Sequence, residues 1–117
     1  MITSIAFFLY PVSDVARARR FYEETLRLKM ATNFQDIWVE YELAGGTFAI
    51  TAVDIGHKPG ALGGLLAFEV DDLNAEVARL KGLQVPFVRD IMATPVCRMA
   101  VIADPDGNHI TLHQRNA

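Results

Sequence analysis

One cysteine stands in the 117 residues, Cys97, so no disulfide can form within the chain and no cluster of cysteine ligands can hold a metal. Charge of one sign is lacking as well. Fourteen acids face eleven bases for a net charge of −3, and the two halves of the chain are alike in this respect. A nucleic acid or an anionic membrane surface is therefore a poor partner. No apolar run approaches the roughly 20 residues of a membrane span, and no basic segment precedes a leucine-rich one at the start. These absences lead us to expect a protein of a reducing compartment, the cytoplasm. What is present is apolar side chain: 51% of residues are hydrophobic and 21% charged, enough for a real core and far from the composition of disorder. The length leaves room for a single domain, 1–117.

The pattern along the chain begins with a dense apolar segment, Ile2 to Val12, expected to be a strand buried on both faces. Asp14 suits a helix N-cap, because its carboxylate can accept from the free amides of the first turn. Val15, Ala18, Phe21, Tyr22, Thr25 and Leu26 then recur at spacings of three and four, one apolar helical face ending near Leu28. From Trp38 to Leu43 the period falls to two, and Gly45-Gly46 turns the chain into Thr47 to Val53, which reads as a hairpin. Residues 54–64, with His57, Pro59 and four glycines, carry no periodicity and read as a linker.

After residue 64 the pattern restarts. Leu65 to Val70 reads as a strand, Asp72 caps a second helix with Leu73, Val77 and Leu80 on one face, and Gly82 ends it. Strands around Val85 to Val88 and Arg98 to Ala103 precede the turn Asp104-Pro105-Asp106-Gly107-Asn108 and a last strand, His109 to His113. Val12-Ser13-Asp14-Val15 aligns with Val70-Asp71-Asp72-Leu73 at an offset of 58, and Gly46 with Gly107 at 61. Two half-modules, about 1–56 and 62–117, each a strand, a helix and three strands, account for this economically.

The helix string Val12-Ser13-Asp14-Val15-Ala16-Arg17-Ala18-Arg19-Arg20-Phe21-Tyr22 with Leu26-Arg27-Leu28, the strand and helix start Phe68-Glu69-Val70-Asp71-Asp72-Leu73, and the turn Asp104-Pro105-Asp106-Gly107-Asn108-His109-Ile110 together span nearly the whole chain. In order and spacing they resemble the vicinal oxygen chelate superfamily, which includes glyoxalase I, extradiol dioxygenases, fosfomycin-resistance enzymes and bleomycin-resistance proteins. The resemblance implies an α+β fold of paired βαβββ modules with curved mixed sheets forming a cleft, in a homodimer. It also implies a divalent ion held by His, Glu or Gln at fixed strand positions. Those positions are Phe7 and Leu65, each seven before a capping aspartate, and Ile50 and Thr111, each four after a turn glycine. Hydrocarbon side chains have no lone pair and a neutral threonine hydroxyl is a poor ligand for such an ion. We therefore expect no metal and no other cofactor. His109 and His113 cannot share an ion, lying about 13 Å apart if on one strand.

Strand parity then sketches the cleft. If the former ligand positions face inward, Ile5, Phe7, Leu9, Phe48, Ile50, Ala52, Leu65, Ala67, Glu69, His109, Thr111 and His113 line it, and Phe8, Tyr10, Leu66, Phe68, Val70, Ile110 and Leu112 face the helices. Trp38, Glu40 and Glu42 add an aromatic surface with acidic groups, since Val39, Tyr41 and Leu43 suit the core. Phe7, Trp38, Glu40, Glu42, Phe48, Ile50, Leu65, Thr111 and His113 are thus the candidate ligand-binding residues. An apolar pocket of this kind suits a small organic molecule, flat or cationic. Two other readings stay open: an enzyme in which Glu40, Glu42, Glu69 or His113 does acid–base work without metal, and a structural subunit whose cleft is packed shut by Phe7, Leu65 and Ile50. Cys97 reads as a small hydrophobe, and the sequence leaves the facing of Arg98 open.

Overall fold

Asp14 and Asp72 cap their helices as the sequence leads one to expect: their carboxylates accept from the amides of Arg17 and Ala75, each at 3.1 Å. The computed structural model describes residues 1, 3, 5–54, 58–60 and 65–116, so most of the expected linker, His57 included, lies outside the described residues. The chain divides into two units, Met1–Gly60 and Ala61–Ala117.

In the first unit, β1 (Phe8–Pro11) leads to α1 (Val15–Arg19), which continues without a break as a six-residue π-helical segment, Arg20–Thr25. Three strands follow, β2 (Met30–Phe34), β3 (Trp38–Leu43) and β4 (Gly46–Thr51), in a mixed sheet of order β1-β4-β3-β2 with β1 parallel to β4. The helical face read from the sequence is the one buried: Val15, Ala18, Phe21 and Tyr22 pack over Val39, Tyr41, Phe48 and Ile50. The rings of Tyr22 and Phe48 stand 4.9 Å apart and those of Tyr22 and Tyr41 6.1 Å. Each such side chain contributes about 1.5–3 kcal/mol when fully buried.

The second unit repeats the plan with β5 (Leu66–Glu69), α2 (Leu73–Gly82), β6 (Phe87–Ala93), β7 (Cys97–Ala103) and β8 (His109–Arg115), in a sheet of order β5-β8-β7-β6 with β5 parallel to β8. Leu73, Val77 and Leu80 of α2 are buried, as are Leu66, Ala100, Ile102, Ile110 and Leu112 of the sheet. The turn after β7 is knotted by Asp104, whose carboxylate accepts from the amides of Asp106 at 2.9 Å and Asn108 at 2.8 Å and from the Asn108 side chain at 2.8 Å.

Three departures have physical causes. The first strand is not buried on both faces: it begins only at Phe8, the first strand in its unit's sheet order, and Ile5, Phe7 and Phe8 are exposed. β2 is exposed along its whole length and shows no alternation, and its hairpin to β3 uses Gln35 and Asp36 at φ 52° and 55° where a sequence reader looks for Asn-Gly. Gly82 does not make the left-handed stop of α2. That conformation falls on Gln84, at φ 61°, and on Arg27, at φ 62°, after the first helix.

Candidate functional site on the helix-free sheet faces

Each sheet has one face against its helix and one turned away from it, and strand register decides which residues lie on which. In the first sheet Phe8, Tyr10, Phe48, Ile50, Val39 and Tyr41 share the α1 face, as the pairs Phe8↔Phe48, Tyr10↔Ile50, Val39↔Ile50 and Tyr41↔Phe48 require. Leu9, Trp38, Glu40, Glu42, Thr47, Ala49 and Thr51 occupy the other. Phe7 joins them, its ring edge-on to Trp38 with centroids 5.3 Å apart and planes at 83°. The Trp38 indole Nε1 donates to Glu40 Oε2 at 2.8 Å, and the Thr47 hydroxyl donates to Glu42 Oε1 at 2.8 Å.

Phe48 and Ile50 are therefore a correction to the parity reading, since both pack under α1, Phe48 against the Tyr22 ring. The cause is a slip of one residue. The parallel pairs match Phe8↔Phe48 with Leu66↔Ile110, so β4 and β8 correspond at an offset of 62, not 61. The glycine equivalent to Gly107 is then Gly45, and both are left-handed, φ 93° and 83°. Four residues after Gly45 stands Ala49, which faces away from α1 as Thr111 faces away from α2. Because Phe7 and Ile50 lie on opposite faces of one sheet, they cannot join with Leu65 to plug a single cleft.

In the second sheet the face turned from α2 carries Ala67, Glu69, Cys97, Met99, Val101, His109, Thr111, His113 and Arg115, by the pairs Ala67↔Thr111, Glu69↔His113, Val101↔Thr111 and Met99↔His113. Leu65, just before β5, is 59% exposed, whereas Thr111 is 3% exposed. Arg98 belongs to the opposite face, where its Nη2 donates to Asn74 Oδ1 of α2 at 2.6 Å. Cys97 is buried, with its sulfur 3.1 Å from the Thr94 hydroxyl.

Two polar groupings could not be assembled from the sequence, which put Glu69 and His113 on one face without pairing them. On the face turned from α2, Glu69 Oε1 lies 2.6 Å from His113 Nδ1, and Glu69 Oε2 accepts from the Arg115 amide at 2.8 Å. The Arg115 amide first and His113 second hold the Glu69 carboxyl below the usual range. The residues stand 44 apart, and only the parallel pairing of β5 with β8, implicit in the repeat, could have announced them. Beneath the first helix, Glu23 accepts from Arg19 Nε at 2.7 Å and from the Tyr41 hydroxyl at 2.9 Å. Arg19 chiefly, with Tyr41 helping against the cost of burial, lowers the Glu23 carboxyl, while burial and then Glu23 push the Tyr41 phenol well up. A recess of about 290 Å³ runs beside Ala16, Arg19, Arg20, Glu23 and Glu24, but these line it from a single helix and two of them are paired with each other, so it lacks an opposing wall.

A family model described as the Glyoxalase/Bleomycin resistance protein/Dioxygenase superfamily matches residues 4–112. The chain belongs to that superfamily. Among solved structures it is similar to TnmS3, described as an antibiotic binding protein from Streptomyces sp. CB03234, with 31% identity, 98% of each chain covered and a TM-score of 0.86. A glyoxalase/bleomycin resistance protein from the same Streptomyces strain is 33% identical over 95% of this chain and 100% of its own, with a TM-score of 0.80. A lactoylglutathione lyase from Agrobacterium tumefaciens, 20% identical over 97% and 95% of the two chains at a TM-score of 0.76, shares the fold. A search of curated proteins found no match.

The superfamily's metal does not fit the residues at its positions here. Phe7 and Leu65 bring hydrocarbon, Ala49 replaces Ile50 as the fourth-position residue and brings a methyl group, and Thr111 brings one neutral hydroxyl. Among the described residues no three His, Cys, Asp or Glu side chains come together as a ligand set. No described helix is long and apolar enough to cross a membrane.

Proposed function

We propose that this superfamily member binds or sequesters a small, flat, largely apolar organic molecule on the sheet faces turned from the helices, without a metal, as a homodimer in the cytoplasm. The observation that carries this reading is the aromatic pair Phe7 and Trp38. Phe7 is 43% exposed and meets Trp38 edge-on, outside the core and beside the Glu40 carboxylate. Aromatic surface left in reach of water, with a few oriented polar groups, is what a small-molecule site needs. The likeness to TnmS3, an antibiotic binding protein by its description, supports it over nearly the full length of both chains.

Trp38 is the single tryptophan, so its fluorescence reports directly on that surface. A flat cation such as proflavine is expected to quench it, and the double substitution Glu40→Gln with Glu42→Gln to weaken binding by up to about fivefold per carboxylate, the ceiling for solvent-screened charges. Proflavine that leaves Trp38 unquenched at millimolar concentration overturns the reading. Equal binding by the double variant rejects the part played by the acids.

A further inference from the structure

The face turned from α2 holds an imidazole whose tautomer is dictated by its neighbours. Glu69 spends both carboxylate oxygens, one on the Arg115 amide at 2.8 Å and one on His113 Nδ1 at 2.6 Å. A carboxylate can only accept, so the proton between Glu69 and His113 sits on Nδ1. In the neutral ring this leaves Nε2 as a bare acceptor. The His113 side chain is only 26% exposed, so the orientation is held by packing as well as by the hydrogen bond.

Two residues earlier on β8, hence on the same face, Thr111 presents a buried hydroxyl: among the described residues its Oγ1 has no hydrogen-bond partner. An unmade buried hydrogen bond is costly, and a ligand atom that supplied the partner would recover that cost. Small or apolar side chains flank the two polar groups, Ala67 and Val101 across from Thr111 and Met99 across from His113. One fixed acceptor and one hydroxyl able to donate, set in a hydrocarbon border, match a group that offers a proton and a lone pair from the same oxygen on a flat ring.

We infer that Glu69, His113 and Thr111 form a recognition site for an acidic hydroxyl, a phenol or enol, whose O–H donates to His113 Nε2 and whose oxygen accepts from Thr111 Oγ1. The inference rests on the small-molecule reading above and names the ligand class. An aryl anion would meet the Glu69 carboxylate without a proton to offer, and an ether would leave Nε2 unpaired. The competing account is a simple ion pair of protonated His113 with Glu69 that ties β5 to β8.

The test uses the full chain, labelled with nitrogen-15, with His113 resonances assigned by loss in His113→Gln. With 2-naphthol bound, the ring is expected to carry its own proton on Nδ1, toward Glu69. Titration with 2-naphthol is expected to shift the Nε2 resonance, and 2-methoxynaphthalene, which has the same ring and no proton to give, to bind about tenfold more weakly. Thr111→Val should weaken both compounds, because each keeps an oxygen that can accept from the hydroxyl, and leave the difference between them in place. A doubly protonated ring, an Nε2–H tautomer, or equal binding of phenol and ether overturns the inference while leaving the binding reading intact. Neither compound bound at millimolar concentration also rejects the hydroxyl site, and quenching of Trp38 by proflavine then tells whether the broader reading survives.

Discussion

Gly45 and Gly46 sit side by side, the first in the turn before β4 and the second opening that strand, yet only the first has a backbone that demands glycine. Gly45 is at φ 93°, in the left-handed region, and nothing lies within 4 Å of a methyl group added at either position. Strain alone therefore separates them. Gly45→Ala is expected to lose about 1–2 kcal/mol of stability, while Gly46→Ala should be neutral or gain a few tenths from a less flexible unfolded chain. Urea denaturation of the two variants checks this, and equal midpoints would refute the assignment of Gly45 as the partner of Gly107. At Thr111 the argument runs through an orphaned hydroxyl: Thr111→Val keeps the shape, removes the unmet hydrogen bond and should raise stability by about 1 kcal/mol. A lower thermal midpoint would show that the hydroxyl has a partner. Sequence alone could place Trp38, Glu40 and Glu42 on one face, because period two is fixed within a strand. It could not place Phe48 and Ile50, because two adjacent glycines leave the register open by one residue, and one residue reverses every side chain.

Each helix is fastened to its sheet by a different device. The first uses a polar bridge, Arg19 to Glu23 to Tyr41, at the junction of α1 with the π-helical segment. Its two titrating members give opposite pH signatures. Tyr41, raised above its ordinary 10.0, keeps its proton in the fold after the unfolded chain has lost it, so stability is present below about pH 10 and declines as the pH rises further. Glu23, lowered from 4.5, contributes above that pH and loses its contribution as the pH falls through its lower folded value. Tyr41→Phe should cost about 1 kcal/mol at pH 7 and flatten the alkaline limb; Glu23→Gln should flatten the acid limb. Unfolding free energies measured from pH 3 to 11 separate the two, and an unchanged alkaline limb in Tyr41→Phe would remove Tyr41 from the bridge. α2 instead is tied to β8 by the Leu73 amide, which donates to Gln114 Oε1 at 2.8 Å, and it ends on Gln84 at φ 61°, with the amide of Val85 donating to Leu80 O at 3.1 Å. Gln84→Gly relieves a left-handed side chain and is expected to stabilise by a few tenths of a kcal/mol after the entropy gained by the unfolded chain is deducted. At this scale the helices were legible, since caps and a 3.6-residue period are local signals. β2 was not, because an exposed edge strand buries nothing and so leaves no hydrophobic pattern to read.

The repeat made the architecture of the whole chain legible, because two copies of strand, helix and three strands constrain one another more than either constrains itself. It did not say what covers the faces turned from the helices. A four-stranded sheet with one helix has its second face uncovered by its own unit, and layers of secondary structure are stable when both sides of each apolar face find cover. Here Ile5, Phe7, Leu65 and Val96 present exposed apolar side chains. Exposed apolar surface of that kind marks places where another chain or a ligand docks. The apolar residues next to β1 argue for cover, and a second copy of the same chain is the economical source, related by a two-fold axis. Light scattering at high micromolar concentration is therefore expected to give twice the 13.0 kDa chain mass. Since association stabilises the folded state by mass action, the thermal midpoint should also rise with protein concentration. A monomer mass together with a midpoint independent of concentration would refute the dimer.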